Sequence, residues 1–448
     1  MHSQTKILRR GAPLKQVDSV HGVFIHDNRG NSYLDSCSGA AVTSLGYSCT
    51  TVIDAIARQA SAIPYVHSGS FSTDAAENLA QFLIEESNGA LDKAVFSTSG
   101  SEAMEVAIKL ALQYWKVRGQ ESKSEFISRE QSYHGGTLAT LGIGEQLGRR
   151  APYEKGLRHH YRIPLCCHQT DSTDVQAGIR EAQALEQKIL EIGAENVAAF
   201  VVETVGGSTS GAVTAAPGYF REIERICHHY DVLLILDEVM CGMGRTGSLY
   251  AFSQEAINPD IVAVGKGLAA GYQAISATLC SEDIAWVIES RDEGFVHAGT
   301  YLMHAIGCAA ALATQQYIRQ QKIIDNVNTM GSILETMLNK SLKEHYLVTD
   351  IRGRGLLFAI ELAVENLDLS EAVALSEWIK QTGFDEGIVL YPCERKDATG
   401  RHCHLLIAPA YTISYNECAM LVERIFHTLN KMAAETAYDN DLSVLTET

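Results

Sequence analysis

Three apolar runs in this chain end in an ionisable residue. AAFVV (198–202) runs into Glu203, LLIL (233–236) into Asp237, and IVAVG (261–265) into Lys266. Aliphatic runs without polar alternation read as strands buried on both faces, the pattern of a parallel sheet covered by helices. In such an open sheet the carboxyl ends of the strands line the ligand crevice, so three charged side chains are directed toward one place. A buried acid is costly unless a partner compensates it. For Asp237 alone, a turn cap or an ion pair with Arg245 would serve. Lys266 lies in AVGKGLAAG, among apolar and small residues that solvate its cation poorly and favour the neutral, nucleophilic amine. A lone lysine there would also fit an ordinary turn.

The surrounding chain supports an α/β reading. Strands are expected at Glu125–Ser128, Val197–Val202, Leu233–Leu236, Asp260–Val264 and Gln273–Leu279, with helical stretches such as REIERICHHY (221–230) between them. Upstream, VHGVFIHDNRGNSYLDS (20–36) reads as a hairpin turning at Asn28, Arg29 and Gly30. The short strand AVFSTSG (94–100) leads into a helix from Ser101 to about Arg118, whose apolar stripe runs through Ala103, Val106, Ala107, Leu110, Ala111 and Tyr114. Long helical patterns follow at Ala305–Arg319 and Ile323–Leu342. From about Asp350 the rhythm changes to strand GLLFAIEL, helix EAVALSEWIKQTGF, strand GIVLYP, strand HCHLLIAP and a closing helix from Tyr415. The expected division is an N-terminal segment, 1–65, that joins the small domain, a large domain, 66–330, and a small α+β domain, 331–448.

Charge and cysteines narrow the function. The 448 residues carry a formal charge of -18, from 36 Lys plus Arg against 54 Asp plus Glu, which argues against a nucleic-acid binder. The segment MHSQTKILRRG has no apolar region of signal-peptide type, and no apolar span reaches membrane length. Eleven scattered cysteines, an odd number, fit reduced thiols and a cytoplasmic location. The clusters Cys166, Cys167, His168 and His402, Cys403, His404 lack a CxxC pair, so no metal site is expected. LGIGEQLG and VGKGLAAG lack the spacing of nucleotide loops.

Ser99, Gly100 and Ser101 stand between a short strand and a strong helix, where backbone N–H groups and hydroxyls can hold a phosphate. SGSE is also an ordinary capping sequence. Together with a lysine and an acid on other strand ends, it suggests a phosphorylated aldehyde cofactor. Pyridoxal 5'-phosphate needs a phosphate cradle, an amine for its aldehyde and a carboxylate for its ring nitrogen.

These pieces resemble the class III aminotransferases, the ω-type branch of the fold-type I pyridoxal-phosphate enzymes. The resemblance runs from about Val20 to His427 and rests on YLDSCSG, FSTSGSEAMEVAIKLA, YHGGTLATLG, LDEVMCGMGRTG, PDIVAVGKGLAAGYQAI, HAGTY, IRGRGLLFAIEL and LLIAPAYTI. It implies a large domain with a mostly parallel seven-stranded sheet plus a smaller α+β domain. It further implies that Lys266 forms the Schiff base and shuttles protons, and that Asp237 pairs with the pyridine nitrogen. Val239 and Tyr133 would flank the ring, with His134 beside them. Ser99, Gly100 and Ser101 would bind phosphate, Glu203 would lie near cofactor and substrate, and Thr300 would reach the neighbouring subunit's phosphate. A homodimer with shared active sites follows, and the resemblance leaves open whether two dimers pair into a tetramer.

The implied reaction is ping-pong transfer of an amino group from an amine or amino acid, such as an ω-amino acid or primary amine, to a keto acid, pyruvate in the first instance. Aminomutase, racemase, decarboxylase and lyase reactions are the alternatives, because fold and cofactor do not select which bond breaks. Tyr47, Thr98, Thr204 and Ala410 depart from the usual family text. Leu406 and Tyr391 stand where relatives place a carboxylate-binding arginine; Arg395 or Arg401, in PCERKDATGRHC, are candidate replacements beside the reading that both are solvated.

Overall fold

The computed structural model describes residues 6–8, 14–166, 174–367, 374–397 and 400–446. Near the N-terminus, β1 (Val17–His21), β2 (Phe24–Asp27) and β3 (Ser32–Asp35) form an antiparallel meander. Asp27 sets the turn between the last two. Its carboxylate accepts the backbone N–H groups of Arg29 and Asn31, each at 2.9 Å, and the Tyr33 hydroxyl at 2.8 Å. These bonds hold its pKa well below the usual carboxylate range, the Asn31 side chain contributing most.

The central sheet contains β4 (Lys93–Ser97), β5 (Glu125–Arg129), β6 (Tyr161–Ile163), β7 (Val197–Glu203), β8 (Leu233–Asp237), β9 (Ile261–Val264) and β10 (Ser276–Cys280), in the order β4-β10-β9-β8-β7-β5-β6. It is the expected mostly parallel seven-stranded sheet; β10 alone runs antiparallel to both neighbours. Side chains alternate across it. Ala199, Val201, Ile235 and Ala263 pack with helix Gly100–Val117. Phe200, Val202, Leu234 and Leu236 pack on the other face with Leu185, Ile223 and Ile226 of helices Val175–Ile192 and Tyr219–His229. By the same alternation Glu203 and Asp237 belong to the face of helix Gly100–Val117.

The C-terminal part follows two long helices, Ala305–Gln320 and Ile323–Leu342. Its strands are β11 (Val348–Arg354), β12 (Leu357–Leu362), β13 (Ile388–Val389), β14 (Tyr391–Asp397) and β15 (Gly400–Ile407), and helix Tyr415–Thr446 closes the chain. β11, β12, β15 and β14 make an antiparallel sheet in that order, whereas β13 pairs in parallel with β3. Two expectations change here. GIVLYP is two strands serving two sheets, parted at Leu390. The described residues of PCERKDATGRHC, where solvated arginines were one reading, lie in strands: β14 and β15 pair through Glu394↔Cys403 and Arg395↔His402. The expected helix from residue 371 spans Leu375–Asp385, its first residues lying outside the described ones. No helix of the described residues is long and apolar enough to cross a membrane.

Candidate active site

Strand register builds the site. Glu203 and Asp237, the last residues of β7 and β8, are direct neighbours in the ladder, and Asp237 lies beside Ala263, three residues before Lys266. β10 enters next to β9, and its Ser276 hydroxyl donates to the Ser99 carbonyl at 2.7 Å, tying down the start of helix Gly100–Val117. Lys266, Glu203, Asp237, Val239, Tyr133, His134, Gly100 and Ser101 thereby line one cavity of about 190 Å³.

Lys266 sits at φ +40°, a left-handed conformation that a β-carbon disfavours, and such outliers concentrate at functional sites. Burial of its ammonium lowers its pKa to about 8, although the charges of Asp237 and Glu203 pull the other way. Asp237 is held at both oxygens: the Val239 N–H donates to Oδ1 at 3.1 Å, and His134 Nδ1 lies 2.9 Å from Oδ2. A carboxylate only accepts, so this contact puts the imidazole proton on Nδ1. His134 Nε2 is buried and unpartnered. The Arg245 pairing considered for Asp237 does not occur; Arg245 is fully buried and donates to the carbonyls of Leu356 and Pro409.

Burial also pushes the Glu203 carboxyl up. The Gly207 N–H donates to its Oε1 at 3.0 Å, while Arg129, from behind the sheet, donates to its carbonyl at 2.6 Å. At the other end of the cavity the Gly136 N–H donates to the Ser101 hydroxyl at 2.9 Å, leaving the hydroxyl proton for an anion. A β-carbon on Gly100 would come within 2.6 Å of Val239 Cγ1, so glycine lets the helix start press against the valine.

Two expected residues stand apart. Ser99 is the helix N-cap, its hydroxyl accepting the Glu102 N–H at 3.3 Å, and it does not line the cavity. Thr300 is exposed outside the cavity, its carbonyl accepting the Tyr65 hydroxyl at 3.0 Å. Sequence reasoning passed over Gly135, Val205, Gly207, Ser208 and Met240, which complete the walls. The glycine pair Gly206–Gly207, three residues after Glu203, was a usable signal, since a β-carbon at Gly207 would lie 2.8 Å from the Glu203 carboxylate.

Arg401 is paired with Glu394 at 2.9 Å. Tyr47 is engaged with Asp35 at 2.9 Å. Among the described residues no group of three or more His, Cys, Asp or Glu could hold a metal ion. Cys166 lies 3.0 Å from Arg129 Nη1, with Cys167 and His168 outside the described residues. His404 is buried, which lowers its pKa to about 3, with the Arg352 charge adding to the effect.

The donor set fits an anionic aldehyde with a basic ring: an amine poised near neutral pH, a buried acid held at both oxygens, and a hydroxyl beside a helix start with a free proton. Comparison with known proteins agrees. Residues 9–429 match the family described as aminotransferase class-III. An uncharacterized aminotransferase of Schizosaccharomyces pombe is 36% identical over 93% of this chain and 92% of its own. The taurine–pyruvate aminotransferase of Rhodobacter capsulatus is 32% identical over 92% and 91%. The ω-transaminase of Pseudomonas jessenii, solved in complex with PMP, superposes with a TM-score of 0.86 at 28% identity, over 95% of this chain and 94% of that one. The fold, the cavity built from its strand ends and these matches together make the chain a member of the class III aminotransferase family, pyridoxal-phosphate-dependent enzymes of fold-type I.

Proposed function

We propose that the cavity holds pyridoxal 5'-phosphate and that the enzyme moves an amino group from a primary amine or ω-amino acid to a keto acid, pyruvate serving as acceptor. The observation that supports this most directly is the juxtaposition of Glu203, Asp237 and Lys266 at neighbouring strand ends around one cavity. Relatives whose names specify γ-aminobutyrate or taurine with pyruvate point to the same substrate class. When bound, the cofactor supplies an aldehyde that captures amines and a ring that accepts electrons from the bond being broken.

The chain's own residues do the rest. Lys266 Nζ, neutral in an appreciable fraction of molecules at pH 7, would hold the aldehyde and would move the substrate proton. Asp237 holds the proton on the ring nitrogen, and His134 keeps that carboxylate oriented. Val239 and Tyr133 flank the ring, and Ser101 with the N-terminal N–H groups of helix Gly100–Val117 takes the phosphate. Ser99, outside the cavity, acts by capping that helix. Thr300, exposed outside its own cavity, reaches the phosphate of a second copy, and the working unit is a homodimer in the cytoplasm. Residues 66–330 form the large cofactor-binding domain, and 1–65 joins 331–448 in the small one.

The test follows the cofactor's visible absorbance in the loaded enzyme. An amine alone should remove it, and pyruvate alone should then restore it; failure of that cycle overturns the transfer reading. An isomeric product formed without a second substrate would favour a mutase or racemase instead.

A further inference from the structure

We propose that Arg149 binds the anionic end of the substrate, a carboxylate or sulfonate, across the ring of Tyr133; this rests on the transfer reading above. The Arg149 guanidinium lies 4.6 Å from the centroid of the Tyr133 ring, and Tyr133 lines the cavity. A guanidinium held over an aromatic ring by its charge still has N–H donors with which to meet an anion bidentately. Among the described residues no carboxylate lies within ion-pair distance of Arg149, and its charge reaches the buried Cys393 thiol of β14. Cys393 packs in the same cluster as Met240, another cavity residue. Arg149 is thus placed between the aromatic wall and the C-terminal sheet.

Its backbone is fixed, with the Arg149 N–H donating to the Gln146 side chain at 2.7 Å. Neighbouring cations are committed elsewhere. Arg150 donates to the Gly144 carbonyl at 2.7 Å and pairs with Glu154, and Arg352 pairs with Asp350 and Glu361, each at 2.8 Å. In a cavity already holding two acids, a substrate anion needs such a cation to offset their field.

The experiment compares the unaltered enzyme with Arg149→Gln, Arg149→Lys and Arg395→Gln, all loaded with cofactor. Donor-driven bleaching is measured with 4-aminobutanoate, 2-aminoethanesulfonate and butylamine. Calorimetry with glutarate, which has no amine, reports anion binding without turnover. Arg149→Gln should raise KM for one or both acid-bearing donors about ten- to hundredfold, the loss of a charge-assisted contact, and weaken glutarate binding similarly. Butylamine should change less than about twofold, and Arg149→Lys should recover part of the loss. The pattern across the two acids identifies which anion is bound. Equal losses for all three donors, unchanged acid donors, or an acid-selective loss at Arg395→Gln instead would overturn the assignment. An unaltered enzyme that responds to none of the donors would overturn the transfer reading, and this one with it.

Discussion

The contact between Gly100 and Val239 makes a quantitative test of how the cavity is shaped. An alanine at 100 would put its β-carbon 2.6 Å from Val239 Cγ1 and 3.1 Å from Cγ2. Ordinary contact begins near 3.4 Å, so the nearer methyl must retreat by about 0.8 Å, the difference between 3.4 and 2.6 Å. Valine has a stiff χ1 and cannot swing its methyls aside cheaply. Overpacking of this kind costs about 1–3 kcal/mol, while alanine at a helix position recovers about 0.5–1 kcal/mol. The unloaded protein should therefore lose no more than about 2.5 kcal/mol. A second effect should fall on the cofactor, because the displaced Val239 moves against the space proposed for the ring: a loss of about tenfold in affinity, or about 1.4 kcal/mol.

Val239→Ala removes both offending methyls. In that background Gly100→Ala should be neutral or mildly stabilising. The assay is a double-mutant cycle read by thermal unfolding of the unloaded protein and by titration with pyridoxal phosphate followed at the visible band. A coupling of about 1 kcal/mol or more is expected in the titration. If the single effects add to within about 0.5 kcal/mol, Val239 does not connect the helix start to the cofactor and the argument fails.

Further tests are independent of that pair. Capture of pyridoxal phosphate by the unloaded enzyme should accelerate about tenfold from pH 7 to pH 9 and level off above about 8, because the neutral amine of Lys266 accumulates through a lowered pKa of about 8; a climb of about a hundredfold without a plateau would indicate an ordinary lysine. Asp237→Asn should still load cofactor, yet slow donor-driven bleaching on the order of a hundred- to thousandfold, as expected when one member of a buried charge pair is lost; a near-normal rate contradicts the ring-nitrogen role. Thr300→Ala should weaken cofactor binding about tenfold although Thr300 lies outside its own cavity, and unchanged binding with an intact dimer would remove the shared-site proposal. Arg245→Met should cost about 2–4 kcal/mol by stranding the Leu356 and Pro409 carbonyls, read as a lower thermal midpoint; an unchanged midpoint would show that water replaces it.

Much of the cavity was legible in the linear text because parallel strands impose a simple rule. An apolar run buried on both faces must end where the sheet ends, so an ionisable residue at that point faces the crevice. Glu203, Asp237 and Lys266 obeyed the rule, and register turned three separate endings into neighbours. The short Ser-Gly-Ser turn into an amphipathic helix was readable for the same local reason. The family resemblance then suggested roles that no periodicity could supply.

What the sequence by itself determined was the set of local preferences: which segments are strands, where helices begin, and which charged groups stand at their ends. Only the tertiary structure decided how distant segments meet. It turned β10 antiparallel, sent β13 to the N-terminal strands and β14 to another sheet, and paired β14 with β15. It also gave Asp237 a histidine 103 residues away in place of the nearby arginine. Side-chain partnership depends on burial and distance in three dimensions, and neither is encoded in local spacing. Arg149 lying over the Tyr133 ring belongs to the same class: both residues are plain in the sequence, and their contact is not.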